Sequence, residues 1–325
     1  MISDFLVLIC STVLLWWSSS QVIRYAVELS SLLKIKTFVL GFVVLSLATS
    51  LPELSVAVFS ALYHTPGLSV GNIIGANFLD LTLILGFIVV VVGEIKLERK
   101  DEVDLLEIFA IASLVMLLIF ARSQLTPAHG GVLIALYFIA IFHIYSRDRL
   151  KIILTEEQRE ARAELRVEGV FTGKAGTLFK MFCSILVLLL SSRLVITSGV
   201  SVAVAFGIPV AVVGATIVAL GTCLPELSLE FHAIRRKEYA LALGDLFGSA
   251  LTNTTLVLGL LSVLSPSHVD VSLLAYILPF LFAALLIIWF SLLRYRKITR
   301  KIGFMLLLLY SSFIVVEFLK IYFSG

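Results

Sequence analysis

Two carboxylates, each inside an apolar run, constrain this chain more than any other feature. Leu47-Ala48-Thr49-Ser50-Leu51-Pro52-Glu53 and Leu220-Gly221-Thr222-Cys223-Leu224-Pro225-Glu226 both place a glutamate directly after a proline. A charge at bilayer depth is costly and is usually functional. A proline there removes an N–H and crowds the carbonyl four residues earlier, that of Ala48 or Gly221. Such a break is tolerated where the backbone lines a cavity. Two breaks at corresponding points of two halves point to a cation site near the membrane midplane.

Composition sets the membrane reading. The 325 residues are 60% hydrophobic and only 14% charged, which no soluble domain of this length matches. Ten stretches are apolar and long enough to cross a bilayer, approximately 3–22, 36–62, 67–93, 103–121, 128–146, 176–196, 208–233, 239–264, 271–293 and 302–322. They are too long and continuous for the alternation of a β-barrel. The run from Phe5 to Trp17 has no basic residue before it and a second span close behind, so it reads as a retained helix and not a signal peptide. Ser146 to Lys174 is polar and rich in Glu, Arg and Ala. It reads as a cytoplasmic linker, giving a first repeat over 1–146, a linker over 147–175 and a second repeat over 176–325.

The basic residues orient the chain. With both termini outside, the external loops keep only Arg122, Arg193 and Lys320 of the 25 Lys and Arg. The positive-inside rule favours that arrangement. The net charge of +3 is spread over short loops, so loop position accounts for it and nucleic acid is not a partner. Cys10, Cys183 and Cys223 make no spaced motif and read as reduced thiols, the first two as packing residues.

The halves are copies. A single offset of 173 aligns Ser18 with Ser191, Gly41 with Gly214, Thr49 with Thr222, Pro52 with Pro225 and Glu53 with Glu226. Without a gap it continues through Gly71/Gly244, Gly75/Gly248, Thr82/Thr255 and Gly86/Gly259. Each half holds five spans, an odd number, so the second enters the membrane upside down. The expected fold is an all-α integral membrane protein: ten transmembrane helices in two inverted-topology five-helix repeats, with helices 2, 3, 7 and 8 broken.

The chemistry follows from the residue types. Glu53 and Glu226 meet across the pseudo-twofold axis and supply two negative charges. Carbonyls near Thr49 and Thr222, freed by the prolines, turn toward an ion. Carboxylate, carbonyl and hydroxyl oxygens suit calcium better than a transition metal, and no Cys/His cluster has zinc spacing. The next span adds Gly71-Asn72-Ile73-Ile74-Gly75-Ala76-Asn77-Phe78-Leu79-Asp80, aligned with Gly244-Asp245-Leu246-Phe247-Gly248-Ser249-Ala250-Leu251-Thr252-Asn253. Its glycines allow close helix approach or a local break. Asp80 and Asn253 are equivalent and would complete a four-residue diamond with the glutamates.

These two inverted copies, each a proline-glutamate motif followed by a glycine- and asparagine-rich span, resemble the cation/calcium antiporter superfamily, in its microbial sodium/calcium exchanger branch. The resemblance covers most of the chain. It implies an exchanger with calcium held by Glu53, Glu226 and carbonyls at Thr49 and Thr222. It also implies sodium sites that share the glutamates and use Ser50, Ser249 and the Asp80/Asn253 pair. The chain departs from the pattern at Cys223 and Ala76, where relatives carry serine, and at Ala250 and Asp245, where they carry asparagine. Two sodium-holding hydroxyls are thereby lost, so the expected coupling ion is sodium with weakened affinity, or a proton or other cation in its place.

Other readings remain open. Asp80 could serve packing, Asn253 a helix–helix hydrogen bond, and Thr49, Thr222, Ser50 and Ser249 back-bonding to their own helices. Asp245 could cap its half-helix or bind ions. Glu230, one turn beyond Glu226, could line an inner vestibule or end a solvated helix. The five histidines lie near span ends and read as interfacial. A channel could use the same acidic ring, distinguished by lacking obligatory exchange. No protease arrangement and no P-loop is found, so no enzyme activity, no cofactor and no ATP are expected; ion gradients drive transport. The lipid bilayer is the expected partner, with no obligate protein partner, and the plasma membrane is the expected location.

Overall fold

A computed structural model describes residues 2–32, 46–96, 124–148, 174–207, 209–235, 239–268 and 271–324. The expected fourth span, 103–121, lies outside the described residues, as do the first ten residues of the second and most of the linker. Helix meets every other expected span. The protein is an all-α integral membrane protein. Among the described residues, five helices are long and apolar enough to cross a bilayer by themselves, at Asp4–Val22, Pro66–Val92, Gly176–Phe206, Ala242–Leu264 and Ile277–Tyr295.

The first repeat begins with α1 (Ile2–Leu32). It continues with the short α2 (Ser46–Thr49) and α3 (Leu51–Leu62), then α4 (Pro66–Leu79), a π-helical turn (Asp80–Ile84) and α5 (Leu85–Val92). Strands β1 (Glu94–Lys96) and β2 (Gln124–Leu125) follow, and α6 (Pro127–Asp148) closes the repeat. The second repeat runs through α7 (Lys174–Phe206), α8 (Val210–Val213), a π-turn (Gly214–Val218), α9 (Ala219–Thr222) and α10 (Leu224–Arg235). After these come α11 (Tyr239–Thr252), a π-turn (Asn253–Val257), α12 (Leu258–Leu264), β3 (Ser267–His268), α13 (Val271–Tyr295), β4 (Lys297–Thr299) and α14 (Arg300–Ser324).

The α4–π–α5 span and the α11–π–α12 span match residue for residue at the offset of 173. The break expected in spans 3 and 8 therefore takes the form of a π-turn: the N–H of Leu85 reaches the carbonyl of Asp80, and that of Leu258 the carbonyl of Asn253. One extra residue per turn widens the helix locally without interrupting it, a device common at functional sites.

The repeats exchange helices. α5 of the first packs on α14 of the second, and α12 of the second packs on α6 of the first. Small residues make both crossings close. A Cβ placed on Gly86 would lie 3.0 Å from the Gly303 carbonyl, and one on Gly259 would lie 3.0 Å from the Gly130 carbonyl. Two antiparallel ribbons repeat the exchange, β1 with β4 and β2 with β3. Each repeat supplies half of each of these contacts, as a twofold relation requires.

The apolar interior is split in two. One cluster centres on α4, α5, α11, α12 and α13 and includes Phe78, Phe247, Leu258 and Leu281. The other joins α1 to α7 through Leu8, Leu15, Leu188 and Val195. At 31 and 33 residues, α1 and α7 run past their expected ends at 22 and 196, since no proline interrupts either one. At 1.5 Å per residue each spans about 45–50 Å, more than the roughly 30 Å of a bilayer core, so they tilt or project. Their outer faces carry exposed side chains such as Trp17, Phe179 and Val204, as lipid contact requires.

Candidate cation site

The proline motifs bend the chain at one residue. α2 ends at Thr49, Ser50 sits at φ −78° and ψ 1°, and α3 begins with Pro52 and Glu53 in its first turn. In the second repeat α9 ends at Thr222, Cys223 sits at φ −82° and ψ −5°, and Glu226 lies in the first turn of α10. The helical bonds persist on either side: Ser50 N–H to Ser46 O at 3.1 Å, Leu54 N–H to Ser50 O at 2.9 Å, and their equivalents at Cys223 and Leu227, both at 3.0 Å. Pro52 has no N–H, so the Ala48 carbonyl lacks its helical donor.

All eight expected site residues are buried. Glu53, Thr49, Thr222, Ser249 and Asn253 are fully enclosed, and Ser50, Asp80 and Glu226 are 1% exposed. Among the described residues, neither carboxylate oxygen of Glu53, Asp80 or Glu226 has a hydrogen-bond partner of normal geometry, and both side-chain polar atoms of Asn253 are likewise unpaired, as is the Ser50 hydroxyl. Glu226 lies within range of the charges of Glu53, Asp80 and Asp245, and Asp80 within range of those of Glu53 and Asp245. Thr222 faces Glu53, and the Cys223 thiol faces Asp80. No Lys, Arg or His is among the buried polar groups of the described residues. Enclosed carboxylates without a protein cation are strongly unfavourable in charged form unless they take up a proton or a metal cation neutralises them.

The threonines tie the repeats together. The Thr49 hydroxyl donates to Asp245 Oδ1 at 3.4 Å, and the Thr222 hydroxyl donates to Asn72 Oδ1 at 3.1 Å. The two contacts are equivalent at the offset of 173. Each threonine also back-bonds, to Ser46 O and Ala219 O, both at 3.2 Å. Ser249 back-bonds to Leu246 O at 3.2 Å. Back-bonding and a place beside the acids therefore coexist. Asp80 and Asn253 open the equivalent π-turns of spans 3 and 8, and their unpaired atoms argue against plain packing or a helix–helix hydrogen bond.

Close approach of α4 sets the depth of the site. A Cβ on Gly71 or Gly75 would collide with the carbonyl of Ala211 or Ala215, and one on Gly214 with the carbonyl of Leu68. These glycines bring α4 against the π-turn at Gly214–Val218, beside the motif that carries Glu226.

Several residues were not resolved by sequence reasoning. Asp245 lies well inside α11, fully buried and bonded to Thr49, so it does not cap its helix. Glu230 is fully buried with both oxygens unpaired, so it does not end a solvated helix. Asn77 donates to Ala250 O at 3.3 Å and to the Thr254 hydroxyl at 2.7 Å, crossing between repeats. Asn72 was legible only as part of its motif; its partner in the other repeat was not. All three cysteines are free, with Cys10 on an exposed face and so no packing residue. Among the described residues no three His, Cys, Asp or Glu side chains converge to hold a metal by themselves.

The profile of the family described as sodium/calcium exchanger protein matches residues 3–146 and 177–319, one repeat each. The chain belongs to the sodium/calcium exchanger protein family. It is similar to the sodium/calcium exchanger MaX1 of Methanosarcina acetivorans, 26% identical over 97% of this chain and 98% of that protein. It is also similar to the putative antiporter CaxA of Alkalimonas amylolytica, 28% identical over 93% and 94%. Among solved structures, the sodium-calcium exchanger NCX_Mj aligns with a TM-score of 0.63 at 22% identity, over 97% of both chains. The H+/Ca2+ exchanger CAX aligns with a TM-score of 0.75 at 16% identity, over 99% of this chain and 88% of that one. Both share the fold. Membership in the family makes this protein a membrane antiporter of calcium driven by a cation gradient.

Proposed function

We propose that Glu53 and Glu226 hold the transported calcium between them, with the carbonyls and hydroxyls of Thr49 and Thr222 completing its shell. One observation carries this reading: equivalent glutamates of the two repeats are enclosed, within range of each other's charge and without a protein cation among the described residues. Two carboxylates balance one divalent ion, and hard oxygens replace its water. Asp80, Asn253, Ser50 and Ser249 serve the coupling ion. Exchange is by alternating access: α1 and α7, packed on each other in a cluster of their own, slide across the body that holds the site. The bond between Ser55 on α3 and Ser192 on α7 lies on that sliding surface.

The chain resides in the plasma membrane with both termini outside, and it works without enzyme activity, cofactor or obligate protein partner. Calcium uptake into vesicles containing the purified protein tests the reading. Wild type takes up calcium only when a counter-ion is supplied on the other side, and Glu53→Gln or Glu226→Gln abolishes uptake. Uptake without a counter-ion indicates a channel, and normal uptake by either variant removes the site.

A second reading of the coupling ion has its own support. Cys223 and Ala76 are both buried where a sodium site would need hydroxyls, and the Cys223 thiol sits against Asp80. A thiol is a poor ligand for sodium. Sodium coupling is therefore weakened in favour of protons or another monovalent cation. Parallel uptake under sodium and proton gradients decides it: dominant sodium-driven flux refutes weakened sodium coupling.

A further inference from the structure

The central pair accounts for two of the five buried carboxylates among the described residues; Asp80, Glu230 and Asp245 remain. Glu230 is the one least explained. It sits on α10 one helical turn past Glu226, is 0% exposed, and neither of its oxygens has a hydrogen-bond partner among the described residues. Glu230 feels the charges of Asp80 and Asp245, and Asp245 itself keeps Oδ2 unpaired. α10 packs directly on α11, which carries Asp245. A buried carboxylate with no donor and no basic neighbour is tolerated only if something else neutralises it.

The other repeat lacks this arrangement. Ala57 stands at the position equivalent to Glu230, and Asn72 at the position equivalent to Asp245. The glutamate pair, by contrast, is matched in both repeats. The extra charge therefore lies on one side of the central pair only, toward the C-terminal end of α10. With both termini outside, that is the cytoplasmic side.

We propose that Glu230 and Asp245 form a second cation position, a staging site that takes partly hydrated calcium between the central glutamates and one membrane face. With two carboxylates as its charged ligands, the ion there keeps part of its water. Its effect is to concentrate calcium at one entrance, as an enclosed like-charged funnel does for its counter-ion. The proposal rests on the reading of Glu53 and Glu226 as the central site.

The test measures calcium uptake in membrane vesicles of both orientations carrying the full-length protein. Glu230→Gln raises KM for calcium about tenfold when calcium is offered from the Glu230 side, leaves kcat unchanged, and changes KM less than about twofold from the other side. Glu230→Asp, which keeps the charge, recovers most of the affinity. An equal shift from both faces, no shift, or a Glu230→Asp as impaired as Glu230→Gln overturns the staging site. Glu53→Gln, run in parallel, separates the two readings: it abolishes uptake from both faces if the central assignment holds, and normal uptake overturns both.

Discussion

One turn past the glutamate that both repeats share, the first repeat has Ala57 and the second has Glu230; across the site, the first has Asn72 and the second Asp245. Glu53 and Glu226 themselves match, as do Thr49 and Thr222 and their cross-repeat bonds to Asp245 and Asn72. The backbone also matches, down to π-turns that begin at Asp80 and Asn253. On the proposed reading, the twofold scaffold sets where an ion sits, and the departures from twofold symmetry select the ion and the side it enters from. A symmetric scaffold with symmetric charges would offer identical entrances; this one does not.

The largest test of that division is at its symmetric centre. Glu53→Gln and Glu226→Gln each weaken calcium binding by about 100-fold or more, since losing one partner at a buried charged site costs about 3–5 kcal/mol. Isothermal titration on purified protein measures it, and a tolerated change at one glutamate but not the other breaks the twofold centre. Next come the residues that open the π-turns. Asp80→Asn removes a charge and lowers affinity for the coupling ion about tenfold, whereas Asn253→Ala lowers it about threefold; one pair of charge-assisted contacts is worth roughly 1.5–3 kcal/mol and a neutral one about half that. Competition against bound calcium compares them, and equal effects erase the distinction between the repeats.

Packing gives a third contrast. Gly71→Ala drives a methyl into the Ala211 carbonyl and destabilises the protein by about 1–3 kcal/mol. Gly131→Ala, on an exposed face with nothing nearby, changes stability by less than about 0.5 kcal/mol. Thermal unfolding in detergent ranks the two. The smallest expected effect is at Cys223→Ser, which gives the second repeat the hydroxyl that Ser50 supplies in the first. Sodium-driven uptake rises about threefold, in line with one modest hydrogen-bond-scale gain; no change means the thiol is not what weakens sodium.

The membrane-length helices, the repeat and the burial of both glutamates were legible because they depend on local chemistry. Hydrophobic length marks a membrane helix, and a carboxylate beside a proline at that depth is too costly to keep for packing alone. Asp245 and Glu230 were not assignable in the same way. Each sits in a sequence context that a helix cap or a solvated helix end would equally suit, and only the packing of α10, α11 and α2 encloses them. Asn77 reads as one more polar residue until Thr254 of the other repeat is placed against it.

The amino-acid order alone determined the membrane class, the duplicated halves and the pair of acids, since each follows from composition, spacing or a proline's missing N–H. Only the tertiary structure decided the exchange of α5 and α6 with α14 and α12 between repeats, the π-turns and the enclosure of the remaining acids. Those features depend on which surfaces meet across the twofold axis. A contact such as that of Asn77 with Ala250, 173 positions away, leaves no local trace in the chain.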